Sequence, residues 1–323
     1  MFKMNLKNIV FLTTILISGN VFALEFQGKF IQGHFILGKT HPDSKIWIDK
    51  KKVKITDDGY FVFGIGRDRK FDITITKEFK GKFIQGHFIL GKTHPDSKIW
   101  IDKKKVKITK DGYFVFGIGR DRKYDISITK ELNGSTKRIV KKVLKREYKI
   151  QRIDGLPEKK VTPPKEVYER IKRENKIIGE ARAVESNLTF FKNKFISPLD
   201  EAIVTGIYGS QRILNGKPKW PHYGIDFAAK EGTKIKAMLD GKATMVQPDL
   251  FYTGGTLIFD HGHGISTLYT HMKDIYVKKG QKVKQGEIIG TVGSTGRSTG
   301  PHLDVRLNWF GTRLDPATVL NLN

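Results

Sequence analysis

Apolar and polar residues alternate over much of this chain, a pattern typical of strands that bury one face. Residues 45–49, 53–55 and 60–63 alternate in this way, and the pair Asp58-Gly59 separates the last two runs. Successive side chains of a strand point to opposite faces, so a period of two predicts half-buried strands joined by tight turns. The predicted fold class is therefore mainly β.

The alternating segment occurs twice. Residues 28–79 recur at 81–132 with an offset of 53, and near-identity of this kind indicates a recent duplication. The four differing positions are Asp57/Lys110, Phe71/Tyr124, Thr74/Ser127 and Phe79/Leu132. Each copy is predicted to be a small antiparallel β unit of about five strands. The first β repeat is placed at residues 24–79 and the second at 80–132.

The pattern changes after the second repeat. Residues 137–149 are basic with interspersed apolar positions, which predicts either a last strand or a short helix. Prolines at 157, 163 and 164 indicate a domain boundary, and residues 165–183 predict a helix that begins just after them. Residues 133–196 are therefore interpreted as a basic linker with one helix.

Short β segments separated by glycine turns then continue to the end of the chain. Residues 234–237, 241–246, 255–260 and 266–269 predict an antiparallel β domain over residues 197–323. The valine and glycine spacing of residues 277–290 is also found in lipoyl and biotinyl carrier domains. A carrier needs one modifiable lysine at a hairpin tip and has no use for the histidines described below, which disfavours that alternative.

The first 23 residues have the pattern of a secretory signal peptide. Lys3 and Lys7 precede an apolar run at 9–17, and Val21-Phe22-Ala23 offers small residues for cleavage. The apolar run is short for a membrane span, so an uncleaved N-terminal anchor is the second interpretation. Either way the protein is predicted to be exported to the periplasm or cell envelope. It contains no cysteine, which excludes disulfides and thiolate chemistry.

Charge is unevenly distributed. The net charge is +26, but residues 197–323 hold 15 Lys+Arg and 11 Asp+Glu, a net of +4, so most of the excess precedes them. Such a basic region usually favours nucleic acid, and export excludes that partner. The remaining anionic partners are peptidoglycan carboxylates and anionic envelope lipid, and a merely solvated lysine-rich surface is the alternative.

Candidate chemistry lies in the C-terminal domain. His222 and Asp226 form an H-x-x-x-D motif, His271 follows Tyr269-Thr270, and a glycine-rich run ends in Gly300-Pro301-His302-Leu303-Asp304. In order and spacing these motifs resemble the lysostaphin-type (LytM-like) zinc metallopeptidases, which cut the peptide bridges of bacterial peptidoglycan. The resemblance covers residues 197–323, and His-Leu-Asp followed by Asn308-Trp309-Phe310 is similar to an exported subgroup of that family with an N-terminal β region.

The resemblance implies a role for each motif residue. His222 and Asp226 are metal ligands, and Asp304 stands where the family's Gly-Pro-His-Leu-His has its third ligand, a histidine. One Zn²⁺ per chain is implied, and a His-Asp-Asp donor set makes harder ions such as Mn²⁺ more competitive. His271 and His302 are the implied catalytic residues, which take a proton from the attacking water and stabilise the tetrahedral oxyanion.

Other residues near these motifs receive weaker assignments. Tyr208 and Arg212 either line the substrate groove or have a packing or surface role. The six remaining histidines are assigned no ligand role: His34, His41, His87, His94, His261 and His263.

Three functions are compatible with the sequence. The first is an exported metalloendopeptidase that hydrolyses amide bonds in peptidoglycan stem or cross-bridge peptides during cell wall remodelling, with the repeats positioning it on the wall. The second is a catalytically silent LytM-like module that binds peptidoglycan and recruits or activates another wall hydrolase. The third is a structural envelope adaptor whose basic repeats do the binding.

Overall fold

The computed structural model describes residues 2–4, 25–27, 31–40, 44–49, 51–68, 73–77, 79–80, 82–155, 158–201 and 203–320. Most of the predicted signal peptide lies outside these ranges, so that assignment stays a prediction. Within them, no helix combines the length and the apolar character that crossing a bilayer requires. Strands dominate the described chain, as the alternation predicts, and the mainly β fold class is confirmed.

Each repeat consists of two small sheets. The strands that precede or form the first repeat are β1 (Phe2–Met4), β2 (Glu25–Gln27), β3 (Phe35–Lys39), β4 (Ile46–Ile48), β5 (Lys51–Lys52), β6 (Tyr60–Gly64) and β7 (Ile73–Lys77). Those of the second are β8 (Phe79–Lys80), β9 (Phe88–Lys92), β10 (Lys98–Ile101), β11 (Lys104–Val106), β12 (Tyr113–Gly117), β13 (Ile126–Leu132) and β14 (Ser135–Lys141). The sheet orders correspond: β1-β7-β4-β5 with β2-β3-β6, and β14-β13-β10-β11 with β8-β9-β12.

The two copies have different surroundings despite their near-identical sequences. The first repeat closes a core of its own around Ile36, Ile46 and Phe61. The core of the second repeat is continuous with that of the C-terminal domain, because strand β12 lies against β26 and β27 of that domain. The second repeat is therefore part of the packing unit that carries the candidate site.

The linker passes from the second repeat over the C-terminal domain. Its elements are β15 (Ile150–Ile153), α1 (Glu158–Val161), a 3-10 helix (Lys165–Val167), α2 (Tyr168–Arg182) and a second 3-10 helix (Phe190–Lys192). Residues 137–141 belong to β14, so the basic stretch begins as a strand. The predicted helix is α2, whose Glu174 side chain accepts a hydrogen bond from the backbone N–H of Phe251 at 2.8 Å. That bond and the packing of Ile178 and Ala181 on Leu250 hold α2 against β21.

The C-terminal domain is one antiparallel sheet of ten strands, with a separate hairpin. Its strands are β16 (Ile203–Gly206), β19 (Ile225–Ala228), β20 (Lys234–Lys236), β21 (Gly241–Leu250), β22 (Gly254–Gly262), β23 (Ile265–Ile275), β24 (Lys282–Val283), β25 (Ile288–Val292), β26 (His302–Trp309) and β27 (Thr312–Leu314). β17 (Gln211–Leu214) pairs with β18 (Lys217–Pro218) on one side and with β15 of the linker on the other, and α3 (Ala317–Leu320) follows the sheet. Its main order is β16-β19-β26-β23-β22-β21-β24, so β19, β26 and β23 are neighbours.

Candidate metal centre and active site

Two neighbouring strands carry the carboxylates of the predicted metal site. Asp226 lies in β19 and Asp304 in β26, and the antiparallel register places them directly opposite each other. Opposed residues of such a pair hold their Cβ atoms about 5 Å apart. His222 lies just before β19, where its backbone N–H donates to the carbonyl of Ser210 at 2.8 Å. The three residues between His222 and Asp226 therefore connect this hydrogen-bonded position to the strand that carries Asp226.

The structure brings the three predicted ligands together. His222 Nε2 lies 3.0 Å from Asp226 Oδ1 and 3.5 Å from Asp304 Oδ1. One donor atom from each side chain falls within 4.8 Å of the others, and this is the one such cluster found in the described part of the chain. The His222 and Asp304 side chains are almost fully buried, with 1% and 3% of their surface exposed.

These residues fit a divalent metal ion. Among the described residues, His222 Nε2 and Asp304 Oδ1 are buried without a hydrogen-bond partner, and the close approach of Nε2 to Asp226 lacks hydrogen-bond geometry. Buried donors and acceptors without a partner cost about 1–3 kcal/mol each, and two adjacent carboxylates repel. A cation between the three atoms removes both penalties. One imidazole and two carboxylates suit Zn²⁺ or a harder divalent ion.

Two glycines make room for the carboxylates. A Cβ atom on Gly206 would lie 2.1 Å from Asp226 Oδ2, and one on Gly224 would lie 2.0 Å from Asp304 Oδ1. Both distances are far inside van der Waals contact, so any side chain at either position would displace a predicted ligand. Gly224 therefore belongs to the site, although it coordinates nothing.

Two arginines contact the same carboxylates. Arg212 Nη2 donates to Asp226 Oδ2 at 2.9 Å, and Arg306 donates from Nε and Nη2 to Asp304 Oδ2 at 3.0 and 2.6 Å. Burial raises the pKa of Asp304, but the charges of Arg306 and His222 outweigh burial and hold that pKa well below its usual value. Arg212 thus contacts a predicted ligand, as a residue that lines the groove would. Tyr208 instead has a packing role, because it is buried and its hydroxyl donates a hydrogen bond to the Arg313 carbonyl at 2.9 Å.

Arg306 is not among the site residues that the motifs predict. A signal was nevertheless present, because Asp304 and Arg306 are two residues apart in a strand. Side chains at that spacing lie on the same face, where opposite charges can pair. The motif resemblance does not reveal this ion pair, because it treats Asp304 only as the replacement of a histidine ligand.

The two predicted catalytic histidines lie side by side. The ring centroids of His271 and His302 are 4.6 Å apart. His271 Nδ1 lies 2.8 Å from the carbonyl oxygen of Thr295, and His302 Nδ1 lies 2.8 Å from that of Gly300. A carbonyl oxygen only accepts, so each Nδ1 carries the proton and each Nε2 keeps its lone pair. Burial lowers the pKa of His271 to about 4, which keeps its ring neutral.

All five predicted site residues line one cleft of about 1690 Å³. Three parts of the chain form its walls: the C-terminal domain, helix α2 with the segment before it, and the edge of the second repeat around residues 101–104 and 117–122. A large open cleft of this kind can hold an extended peptide, and the exposed Trp220 lies on its rim.

Two of the histidines without a predicted ligand role, His261 and His263, pack inside the C-terminal domain. His261 is fully buried, with Nδ1 at 2.7 Å from the Asp240 carbonyl and Nε2 at 2.8 Å from Thr267 Oγ1. The ring of His263 packs on Phe191 with centroids 4.8 Å apart. Both ring nitrogens of His261 are therefore used in the core of the domain.

Comparison with known proteins agrees with this geometry. The sequence profile of Peptidase family M23 matches residues 220–316. The DD-carboxypeptidase/endopeptidase Mpg of Neisseria meningitidis serogroup B is 42% identical over 98 residues, which are 30% of this chain and 22% of that protein. The peptidoglycan DD-endopeptidase ShyC of Vibrio cholerae is 36% identical over 138 residues, which are 42% of this chain and 31% of that protein. The chain thus spans under a third of the length of these curated relatives.

A solved structure extends the similarity beyond the C-terminal domain. A Pseudomonas aeruginosa protein assigned provisionally to peptidase M23 matches with a TM-score of 0.58 and 25% identity, covering 74% of this chain and 95% of that one. The resemblance to the lysostaphin-type metallopeptidases is confirmed by these matches. The region of this chain that holds the His222, Asp226 and Asp304 cluster is a domain of peptidase family M23.

Proposed function

We propose that this protein is an exported zinc metalloendopeptidase that hydrolyses amide bonds in the stem or cross-bridge peptides of peptidoglycan. The observation that carries the proposal is the pairing of a His-Asp-Asp cluster with two adjacent histidines in one peptide-sized cleft. Relatives that share the domain are named as peptidoglycan DD-endopeptidases, which supports this substrate class.

The site residues have separate proposed roles in metal binding and in catalysis. His222, Asp226 and Asp304 would hold the ion, which when bound polarises a carbonyl and acidifies water. His271 is neutral because of its burial, and its Nε2 can accept a proton from the attacking water. His302, held through Nδ1 by the Gly300 carbonyl and placed beside His271, is positioned to stabilise the developing oxyanion.

The basic N-terminal half supports a wall-binding role for the repeats. Peptidoglycan stem peptides carry carboxylates, and the repeats and linker hold most of the excess positive charge. Anionic envelope lipid offers the same charge, and export through the predicted signal peptide would bring the protein to both. Fractionation of cells that express the full chain, followed by N-terminal sequencing, tests the export step.

The activity is tested on isolated peptidoglycan. The purified chain is incubated with sacculi, released muropeptides are identified by mass spectrometry, and bound metal is measured by elemental analysis. We expect His302→Ala to abolish product release with metal retained, and Asp304→Ala to lose both. His94→Ala is the matched control, because that ring is exposed and lies in the second repeat away from the cleft.

Two results would change the assignment. If the unmodified chain releases no products yet binds sacculi, the silent recruiting module is the better interpretation. If His302→Ala and His271→Ala both retain full activity, the proposed roles of these histidines are wrong.

A further inference from the structure

Each carboxylate of the predicted metal site uses its two oxygens differently. The Oδ1 atoms of Asp226 and Asp304 face His222 Nε2, whereas the Oδ2 atoms accept hydrogen bonds from Arg212 and Arg306. Arg306 donates twice to one oxygen, from Nε and from Nη2. The arginines thus fix the side-chain rotation that directs one oxygen of each carboxylate toward the imidazole.

The Asp304 contact differs from the Asp226 contact in its degree of burial. Asp304 has 3% of its side-chain surface exposed and Arg306 has 22%, against 13% for Asp226 and 25% for Arg212. Asp304 is also the one carboxylate that Arg306 pairs with among the described residues. A buried ion pair costs little as a pair, but either partner alone leaves an uncompensated buried charge. Asp304 and Arg306 therefore depend on each other.

Strand geometry explains why the partner comes from this position. Arg306 follows Asp304 by two residues in β26, so both side chains lie on the same face of the sheet. The register of β26 places the apolar Leu268 of β23 opposite Arg306, and Asp304 is the carboxylate to which Arg306 donates its hydrogen bonds.

We propose that Arg306 is a positioning residue that makes an aspartate competent at the third metal position, so that Asp304 and Arg306 act as one unit. This inference rests on the metal site of the proposed function and adds to it a residue that coordinates nothing. Arg306 directs Oδ1 of Asp304 toward the ion and offsets the second negative charge of the donor set. Hydrogen-bond partners behind metal ligands typically contribute ten- to hundred-fold in metal affinity.

If Asp304 and Arg306 act together, replacing Asp304 alone should lower the metal affinity. Histidine at position 304 would supply the imidazole that the family motif has there, yet it would leave the half-buried Arg306 beside a neutral ring. We therefore expect Asp304→His alone to bind metal more weakly than the natural chain. Removing the guanidinium as well, in Asp304→His/Arg306→Leu, should recover affinity, because the unpaired charge is gone and the freed volume admits the larger ring.

The test measures metal affinity in the full chain, independently of catalysis. Dissociation constants for Zn²⁺ and Mn²⁺ are determined by chelator competition for the natural chain, Arg306→Gln, Arg306→Lys, Asp304→His and the double variant. We expect Arg306→Gln to weaken Zn²⁺ binding roughly ten- to hundred-fold, with partial recovery in Arg306→Lys. Lys219→Gln is the matched control, since it removes a positive charge that lines the cleft without contacting Asp226 or Asp304. Circular dichroism confirms that each variant is folded.

Each outcome decides a separate point. Equal dissociation constants for Arg306→Gln and Lys219→Gln overturn the positioning role while leaving the metal site and the proposed function intact. Tighter binding by Asp304→His than by the double variant also overturns it. A natural chain that binds neither ion overturns the proposed metal site, and the role of Arg306 with it.

Discussion

The duplication provides an internal control for how tertiary packing determines stability. Val62 and Val115 occupy the same position in the two repeats, with identical residues on either side. Val115 is 1% exposed and belongs to the core shared with the C-terminal domain, whereas Val62 is 58% exposed. The neighbouring glycines differ in the same way: a Cβ on Gly117 would meet the Leu314 side chain at 2.5 Å, and Gly64 has nothing within 4 Å.

We expect Val115→Ala to destabilise the protein and Val62→Ala to have little effect. Truncation to alanine removes two carbons, which at about 0.8 kcal/mol for each buried methylene corresponds to about 1.6 kcal/mol. The cavity that remains raises the expected loss at Val115 to about 2 kcal/mol. At Val62 the change falls within about 0.5 kcal/mol, since surface substitutions rarely exceed that. Strand propensity cancels in the comparison, because both sites have the same local sequence.

The assay is urea unfolding of both variants and the natural chain, followed by circular dichroism and by tryptophan fluorescence. The first repeat has a separate core, so its transition is fitted separately where two transitions are resolved. A lower midpoint in Val115→Ala with an unchanged slope reports lost stability. Equal losses in the two variants would refute the docking of the second repeat on the C-terminal domain.

Two further predictions concern other sites. Burial lowers the pKa of His261 to about 4, so the folded state resists a protonation that the unfolded chain, with the ordinary histidine pKa of about 6.5, accepts. Its stabilising contribution is complete above pH 6.5 and declines as the pH falls toward 4, by about 2 kcal/mol between pH 7 and pH 5. The natural chain should lose that much more than His261→Gln over this range in urea titrations, and parallel pH profiles would contradict the assignment. Zn²⁺ at 100 times its dissociation constant should raise the free energy of unfolding by about 2.7 kcal/mol. Asp226→Ala should show no such gain in thermal unfolding, and equal stabilisation of both chains would place the ion elsewhere.

The sequence was sufficient to predict which residues lie together in the cleft, because the candidate residues follow the chain in a recognisable order. His222 and Asp226 are four residues apart, and the H-x-D of β26 supplies His302 and Asp304. Pairing of β19 with β26 then brings Asp226 opposite Asp304, which no spacing within a single motif reveals. The arginines were harder to assign, because any exposed strand of a basic protein offers many such residues.

Other features could not be predicted from local sequence. Val62 and Val115 have the same neighbours, yet one is exposed and the other buried. Any prediction of burial from a short window of sequence must assign both valines the same exposure. The difference arises from β27, which covers one copy and not the other, and the contact joins residues far apart in the chain. The division of each repeat into two sheets is likewise a property of strand pairing. The alternation predicts about five strands per copy, whereas the two sheets of each copy together contain seven.

The first repeat has a core of its own, whereas the second shares its core with the C-terminal domain. We therefore expect the first repeat to be dispensable for the fold of the C-terminal domain. Deleting residues 28–80 removes the first repeat and joins Gln27 to Gly81. Strand β2 pairs with β3 through Phe26↔Gly38, and β8 pairs with β9 through Phe79↔Gly91, which is the same register at an offset of 53. After the deletion β2 can therefore replace β8 as the partner of β9, and the contacts of the second repeat with the C-terminal domain are untouched.

We expect the deleted chain to keep the metal affinity and the unfolding free energy of the C-terminal unit to within about 0.5 kcal/mol, as for substitutions remote from a core. Its binding to sacculi should weaken, because one of two basic repeats is lost and with it the gain from two linked contacts. Chelator competition, urea unfolding and pelleting with sacculi measure these three quantities on one preparation. Loss of metal binding in a folded deleted chain would mean that the first repeat supports the site, contrary to its separate core. Unchanged pelleting would instead place wall binding in the second repeat, the linker or the cleft.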